Sequence, residues 1–223
     1  MKKGEKSDLK IRLVETASDM IQELGYENVR VRDLAKRVGC TAPALYKHFE
    51  SLDYLLGVAS LKYLRPYIED LRENLMKNSD IIEAELEAWR LFNKYAFRYP
   101  GLFLNLFWSG KEDFLESILQ EYFEMYPLEV RGKDIALFYT SIFSGSVEQR
   151  DYVWFRRAAS EGLLRYDDAK YVSEINCLIA RGLLHKHMYD YRDEKIYKEA
   201  VKKCNDLIEK NIRMYLIKNS LKS

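Results

Sequence analysis

The stretch from Val31 to Phe49 constrains the fold of this chain more than any other part of the sequence. Its first half repeats apolar residues at i, i+3, i+4 and i+7, the spacing that places one apolar stripe on a helix. Gly39 follows that stripe directly, where a helix end commonly needs a residue that tolerates a positive φ. Thr41 then offers a side-chain oxygen to the free N–H groups of a second helix, and Pro43 suits the first turn of that helix. The pattern predicts two short helices that meet at a tight turn.

The second predicted helix has a buried side and an outward side. Leu45 and Phe49 stand four residues apart and return an apolar face to the first helix. The outward side chains, which are small, polar or basic, are those of Ala42, Pro43, Ala44, Tyr46, Lys47 and His48. Such groups fit a DNA groove, so the first hypothesis is a helix-turn-helix that binds duplex DNA. The alternative is an ordinary helical hairpin, because many hairpins share an apolar stripe and a glycine stop.

A further helix is predicted before this pair, over residues 8 to 24. Its apolar face is formed by Ile11, Val14, Ala17, Ile21 and Leu24. Three helices can close a small core around a helix-turn-helix, which favours the DNA-binding interpretation.

Four blocks of residues strengthen this interpretation when they are taken together. They are Gly25-Tyr26, Val31-Arg32-Asp33-Leu34-Ala35, Gly39-Cys40-Thr41 and Leu45-Tyr46-Lys47-His48-Phe49. In this order, within residues 9 to 55, they resemble the DNA-binding domain of the TetR (tetracycline-repressor-like) family of transcriptional regulators. The resemblance covers about a fifth of the chain, and the combination of blocks is specific although each block is common.

The resemblance implies a set of DNA contacts on the second helix of the pair. The residues expected to hold phosphates are Thr41, Tyr46, Lys47 and His48. Those expected to face base edges, where small groups suit thymine methyls, are Ala42, Pro43 and Ala44. Arg32 is expected to contact a base or a phosphate.

Two positions depart from the family pattern. Arg30 stands where a threonine usually caps the second helix, and Leu52 stands where a lysine usually opens the fourth. Arg30 is a cation that can still reach a phosphate, whereas Leu52 cannot contact one. Fewer neutralised phosphates predict weaker and less salt-sensitive binding.

The rest of the chain is predicted to be almost entirely helical. It carries few prolines and glycines, they fall mostly where helices should break, and no alternating strand pattern is present. The predicted helices run from Ser51 into the seventies with a bend or interruption near Arg65-Pro66, then over 80–98, 102–108, 111–124, twice within 133–164, over 167–190 and over 193–218. We therefore predict an all-α protein of nine or ten helices. Residues 1–50 would form the helix-turn-helix DNA-binding domain, and residues 51–223 a larger helical domain for ligand binding and dimerisation.

The last two predicted helices have the composition of an interface. They carry more apolar positions than one monomer would bury without partners on several sides. In the family that the chain resembles, two such helices from each subunit pack as a four-helix bundle. A dimer would let two recognition helices read half-sites about 34–36 Å apart; the alternative is that these helices only complete the monomer core. The candidate interface residues are Ile175, Ile179, Leu183, Leu207, Ile208 and Ile212.

The middle of the chain is rich in aromatic residues. Aromatics at helical spacing are usually ordinary core, but a helical domain this rich in them could line an apolar pocket with a few polar tips. The resemblance implies that a small-molecule inducer binds here and that its binding separates the two DNA-binding heads. We expect an apolar or aromatic effector. The candidate pocket residues are Trp89, Phe92, Asn93, Phe103, Phe107, Trp108, Tyr139 and Phe143.

Composition excludes several other classes of protein. The formal net charge is +1, and residues 1–50 carry ten basic against eight acidic side chains, so DNA contacts must depend on local placement. The three cysteines are widely spaced, and His185 and His187 point to different faces of a helix, so no disulfide framework or metal site is expected. Catalytic motifs are absent, and neither a catalytic residue nor a cofactor is predicted. No signal peptide or apolar run long enough to cross a bilayer is found, which predicts a cytoplasmic protein without a membrane partner.

The sequence as a whole favours a dimeric transcriptional regulator, most simply a repressor that binds a palindromic double-stranded operator and is released by a ligand. The alternative is a helical module that binds a small molecule or a protein and has lost specific operator recognition. The substitutions at positions 30 and 52 are the best evidence for that alternative.

Overall fold

The computed structural model describes residues 3–77, 80–108, 114–126 and 146–217. These residues form ten α-helices and one short 3-10 helix, and this part of the chain contains no strand. The helices are α1 (Lys3–Leu24), α2 (Val31–Val38), α3 (Ala42–Tyr46), α4 (Leu52–Lys77), α5 (Ile81–Ala96), α6 (Pro100–Trp108), α7 (Phe114–Met125), α8 (Val147–Ser160), α9 (Tyr166–Lys186) and α10 (Glu194–Met214), with the 3-10 helix at Tyr26–Asn28. The prediction of an all-α fold with an N-terminal helix-turn-helix is confirmed.

The described residues divide into two compact units. The first contains α1 to α3, the part of α4 up to Leu64, and α7. The second contains α4 from Arg65 onward, α5, α6 and α8 to α10. The boundary between the units falls inside α4, and functional domains over 1–50 and 51–223 stay a prediction.

Polar side chains begin several helices by accepting hydrogen bonds from backbone N–H groups that have no partner within the helix. Ser51 accepts from the N–H of Tyr54 at 3.0 Å, as expected for the start of α4. Asp80 caps α5, and Asp193 caps α10. Ser146 and Gln149 form a reciprocal capping box at α8.

Several predicted boundaries differ from the structure: α6 begins at Pro100 and not at residue 102, and α9 ends at Lys186 and not at residue 190. Of the two helices predicted within 133–164, one is α8, and residues 133–145 lie outside the described residues. α1 begins at Lys3, before the predicted start at residue 8. α4 continues through Pro66 and is not interrupted there. A proline inside a helix removes one backbone hydrogen bond, and packing on its other faces can outweigh that loss.

Each unit has its own buried core. In the first unit, the fully buried leucines are Leu13, Leu34, Leu45 and Leu55. In the second, aromatic rings dominate: the ring of Phe92 lies 5.3 Å from that of Phe103 and 5.4 Å from that of Phe107, both in edge-on arrangements. None of the helices in the described ranges combines the length and apolar character needed to cross a bilayer.

Candidate nucleic-acid interface

The turn between α2 and α3 has the geometry that the sequence predicts. Gly39 adopts the left-handed conformation, with φ 78° and ψ 36°. Its N–H donates to the carbonyl of Lys36, and the N–H of Cys40 donates to the carbonyl of Ala35 at 2.9 Å. These two bonds close the end of α2 in the manner of a Schellman motif. A side chain with a Cβ would be strained at this φ, so the turn depends on glycine.

α3 begins at a side-chain cap and is held against the core by two apolar residues. The N–H of Ala44 donates to Oγ1 of Thr41 at 3.3 Å. Leu45 is completely buried and Phe49 is 2% exposed, so the predicted inward face of α3 is confirmed. This inward face fixes which side chains α3 can present to solvent.

The predicted DNA-contacting residues all keep access to solvent. Those that are exposed are Arg30, Arg32, Thr41, Pro43, Tyr46 and Lys47. Those that are half-buried are Ala42, Ala44 and His48. Tyr46 is 49% exposed. The surface of α3 is therefore open and suited to contact a groove.

Arg30 takes part in the turn that precedes α2. α2 has no side-chain cap, and the guanidinium Nη1 of Arg30 donates to the carbonyl of Glu27 at 2.7 Å. Arg30 thus stabilises the 3-10 turn instead of capping the helix as a threonine would. Its expected contact with a phosphate stays a prediction.

Sequence reasoning missed Arg12, which supports the turn from α1. Its Nη2 donates to the carbonyl of Val38 at 2.5 Å. A cation at this place complements the negative end of the α2 dipole and satisfies one of its last carbonyls. No local pattern could reveal this contact, because the two residues are separated by 26 positions.

Cys40 lies half-buried beside this contact. Burial raises the pKa of its thiol, although the nearby Arg12 charge acts in the opposite direction. A raised thiol pKa lowers the fraction of reactive thiolate, which favours a structural role for Cys40 over a redox role.

Six of the eight candidate pocket residues lie in the second unit. The ring of Trp89 is 5.5 Å from that of Phe92, and the ring of Trp108 is 5.8 Å from the same residue. Asn93 is completely buried, and its amide donates to Oδ1 of Asn205 at 2.7 Å. The rings of Phe103 and Phe107 complete the cluster, whereas Tyr139 and Phe143 lie outside the described residues. Five of the rings predicted to line a pocket therefore pack against one another.

Two buried carboxyl groups adjoin this cluster and were not anticipated. Glu85 of α5 and Asp151 of α8 are 6% and 4% exposed, and their carboxyl groups share a hydrogen bond. Asp151 also accepts from Nε1 of Trp89 at 2.7 Å. Burial raises the pKa of both acids, and the negative charge of Asp151 raises that of Glu85 further. The pair holds a proton more tightly in the folded chain than in the unfolded one.

This tighter binding of a proton predicts a pH-dependent stability. Because the folded-state pKa values lie above the unfolded ones, the contribution to stability is full in acid and is lost as the pH rises past the ordinary carboxyl range and through the raised values, that of Asp151 being about 6. Glu85→Gln supplies a permanent donor to Asp151, so we expect it to raise the free energy of unfolding at about pH 8 by about 1–3 kcal/mol. The gain should vanish near pH 4. Denaturant titrations at both pH values, with the more exposed Glu87→Gln as control, measure this; an equal gain in the two variants would contradict it.

The candidate dimer residues fall into two groups. Ile208 and Ile212 are 1% exposed and belong to the core of their own chain. Ile175, Ile179 and Leu183 are half-buried, and Leu207 is 39% exposed. Only this second group has surface to offer a partner.

An exposed apolar stripe runs beside that second group on α9. Tyr171 and Leu178 are 49% and 63% exposed, and with Ile175 and Gly182 they follow the spacing of one helix face. A Cβ added at Gly182 would meet no atom within 4 Å, so the helix surface is open there. On α10, Met214 is 65% exposed. An exposed apolar row such as that on α9 favours an interface.

An open, rigidly supported α3 beside a glycine turn defines the class of helix-turn-helix DNA-binding proteins. The family model described as bacterial regulatory proteins of the tetR family matches residues 13–57. Residues 13–57 are therefore similar to a TetR-family DNA-binding domain, and the resemblance seen in the sequence is confirmed for this segment. Members of this family are DNA-binding transcription factors and not enzymes.

Solved structures share the fold along the length of the chain. A TetR-family transcriptional regulator from Pectobacterium atrosepticum is 16% identical, with a TM-score of 0.56 and coverage of 98% of this chain and 99% of that one. The TetR-family regulator PfmR from Thermus thermophilus is 19% identical, with a TM-score of 0.51 and coverage of 89% of this chain and 97% of that one. The fatty acid degradation regulator FadR from Bacillus halodurans is 15% identical, with a TM-score of 0.50 and coverage of 89% of this chain and 96% of that one. Among curated proteins, no sequence relative matches the chain.

Proposed function

We propose that this regulator is a cytoplasmic repressor that binds a palindromic operator as a homodimer and is released by a small apolar or aromatic effector. The observation that carries the proposal is the presentation of α3. Its inward face is locked by Leu45 and Phe49, while Tyr46 and Lys47 stay exposed. A recognition helix that is rigid before it meets DNA loses less conformational entropy on binding.

The charge around α3 suits contact with a phosphate backbone. Arg37 is paired with Glu23 at 2.7 Å, so its charge is partly neutralised. Arg32, Lys36 and Lys47 are exposed cations on α2 and at the end of α3. A few well-placed cations give specific binding with a moderate salt dependence, which fits a chain whose net charge is only +1.

A twofold arrangement of two chains supports the choice of a palindromic operator. One short α3 buries little surface, whereas two copies can read half-sites about 34–36 Å apart. The exposed stripe on α9 offers the surface for this pairing. The aromatic cluster around Phe92 supports an apolar or aromatic effector. A pocket that opened between these rings would be lined mainly by apolar surface, which suits such molecules.

The test is a selection of duplexes from a random pool, followed by salt titrations of the selected DNA. We expect Lys47→Ala to lower the magnitude of the salt slope by about one unit, because one phosphate contact is lost. Lys186→Ala removes an equal charge from an exposed position on α9 and should leave the slope unchanged. Equal, weak binding to selected and scrambled duplexes would overturn the proposal and favour a helical module without operator recognition.

A further inference from the structure

Lys10 of α1 links α7 to the end of the recognition helix. It forms an ion pair with Glu121 of α7, and its ammonium group lies 5.7 Å from the centre of the Phe49 ring. The two charged side chains are only 28% and 18% exposed. Water and salt therefore screen this pair less than they screen a surface pair.

Tyr54 of α4 makes a second connection between α7 and Phe49. Its hydroxyl donates to the carbonyl of Ser117 in α7 at 3.0 Å, and its ring packs edge-on against Phe114 at 6.1 Å. The same ring lies 6.5 Å from that of Phe49. Burial, and then the charge of nearby glutamates, raises the pKa of Tyr54 to about 12. The phenol thus stays protonated and can donate at any physiological pH.

Phe49 lies near both Lys10 and Tyr54 and follows the end of α3. It is 2% exposed, and its N–H donates to the carbonyl of Leu45 at 3.1 Å, in the turn that ends α3. Close-packed interiors transmit displacements instead of absorbing them. The direction of α3 therefore depends on the two side chains that press against Phe49.

We propose that Lys10 and Tyr54 are positioning residues for DNA recognition, which fasten α7 to Phe49 and so fix how α3 is presented. For its DNA-binding part the inference rests on the proposed function; its consequence for the rigidity of α3 does not. When α7 is detached from Phe49, α3 becomes ordered only on binding DNA. The conformational entropy lost in that ordering weakens the affinity. α7, which is distant in sequence from the helix-turn-helix, thereby contributes to DNA recognition.

Hydrogen exchange of α3 tests the link without DNA. Glu121→Gln removes the partner of Lys10, and Glu124→Gln removes an equal charge from an exposed position on the same helix. We expect the N–H groups of His48 and Phe49 to exchange about 10-fold faster in Glu121→Gln, and to be unchanged in Glu124→Gln. Each variant is measured at the same temperature interval below its Tm, so that a local change at α3 is distinguished from a general loss of stability. A general loss would also accelerate the exchange of the slowly exchanging amides of α1.

A second pair of variants tests the phenol. Tyr54→Phe removes the bond to Ser117, and Tyr63→Phe removes a comparable bond to the carbonyl of Ser18 at 2.8 Å in the same unit. Only Tyr54→Phe should speed exchange at His48 and Phe49. Equal exchange in the two members of either pair would overturn the inference.

The consequence for recognition is measured with the duplex selected by the wild-type chain. Glu121→Gln should lower the affinity about 10-fold relative to Glu124→Gln at an unchanged salt slope, since the phosphate contacts remain. Lys10→Arg keeps the ion pair and should keep the affinity. Faster exchange with unchanged affinity would overturn a role in recognition. A wild-type chain that selects no duplex would overturn the proposed function alone and leave the exchange result standing.

Discussion

Leu178→Glu is expected to convert the proposed dimer into a monomer and to weaken the proposed operator binding by about 10²–10⁴-fold, the usual gain from binding two linked sites. Leu178 is 63% exposed at the centre of the apolar stripe on α9. In a twofold interface the substitution would bring one carboxylate from each chain into an apolar contact, and a buried charge without a partner is strongly unfavourable.

Val153→Glu is the matched control for this variant. Val153 is also 63% exposed, but it lies on α8 and outside the stripe. It should change neither the mass of the complex nor the affinity. Sedimentation and DNA titration of the two variants measure both effects. A Leu178→Glu chain that stays dimeric, or a wild-type chain that is monomeric, would contradict the interface.

Leu45→Ala is expected to destabilise the first unit by about 2–5 kcal/mol, the range for truncating a buried leucine. Leu45 is completely buried, so the loss leaves a cavity between α2 and α3. A unit with a small core has little stability to spare, and operator binding should disappear at temperatures where the wild type still binds. The oligomeric mass should persist, because the stripe on α9 belongs to the second unit.

Thermal unfolding and hydrogen exchange of α1 to α3 check this result. Leu24→Ala serves as the control, because Leu24 is 38% exposed at the end of α1 and its truncation removes much less buried surface. A cost below about 1 kcal/mol for Leu45→Ala would contradict the packing of α3, since that value is typical of solvent-accessible positions.

The local features of the helix-turn-helix could be predicted because each depends on residues close in sequence. The left-handed turn at Gly39, the cap at Thr41 and the inward face at Leu45 follow from spacing and residue type alone. Helix boundaries depend on more than local sequence: α4 passes Pro66 without interruption, although proline predicts a bend or a break. Whether packing compensates for a lost backbone bond is decided by the tertiary structure.

The supporting contacts could not be predicted, because they join residues far apart in the chain. Arg12 contacts Val38, and Lys10 contacts Glu121, with no local pattern to pair them. In the sequence Glu85 stands between two other acids at alternate positions, Glu83 and Glu87, yet it alone of the three is buried, and it lies against another acid. Of the predicted dimer residues, the most regular apolar positions on α10 pack into the chain's own core. Apolar spacing identifies a buried face, but it does not say whether the same chain or a partner covers it.

Hydroxyl-radical footprinting of the selected duplex tests the central claim most directly. We expect two protected segments on one face of the DNA, related by a twofold axis and separated by about one helical turn of 10–10.5 base pairs. Lys47→Ala should weaken the protection in both segments equally. A single protected segment, or protection spread evenly along the duplex, would contradict recognition by a pair of α3 helices.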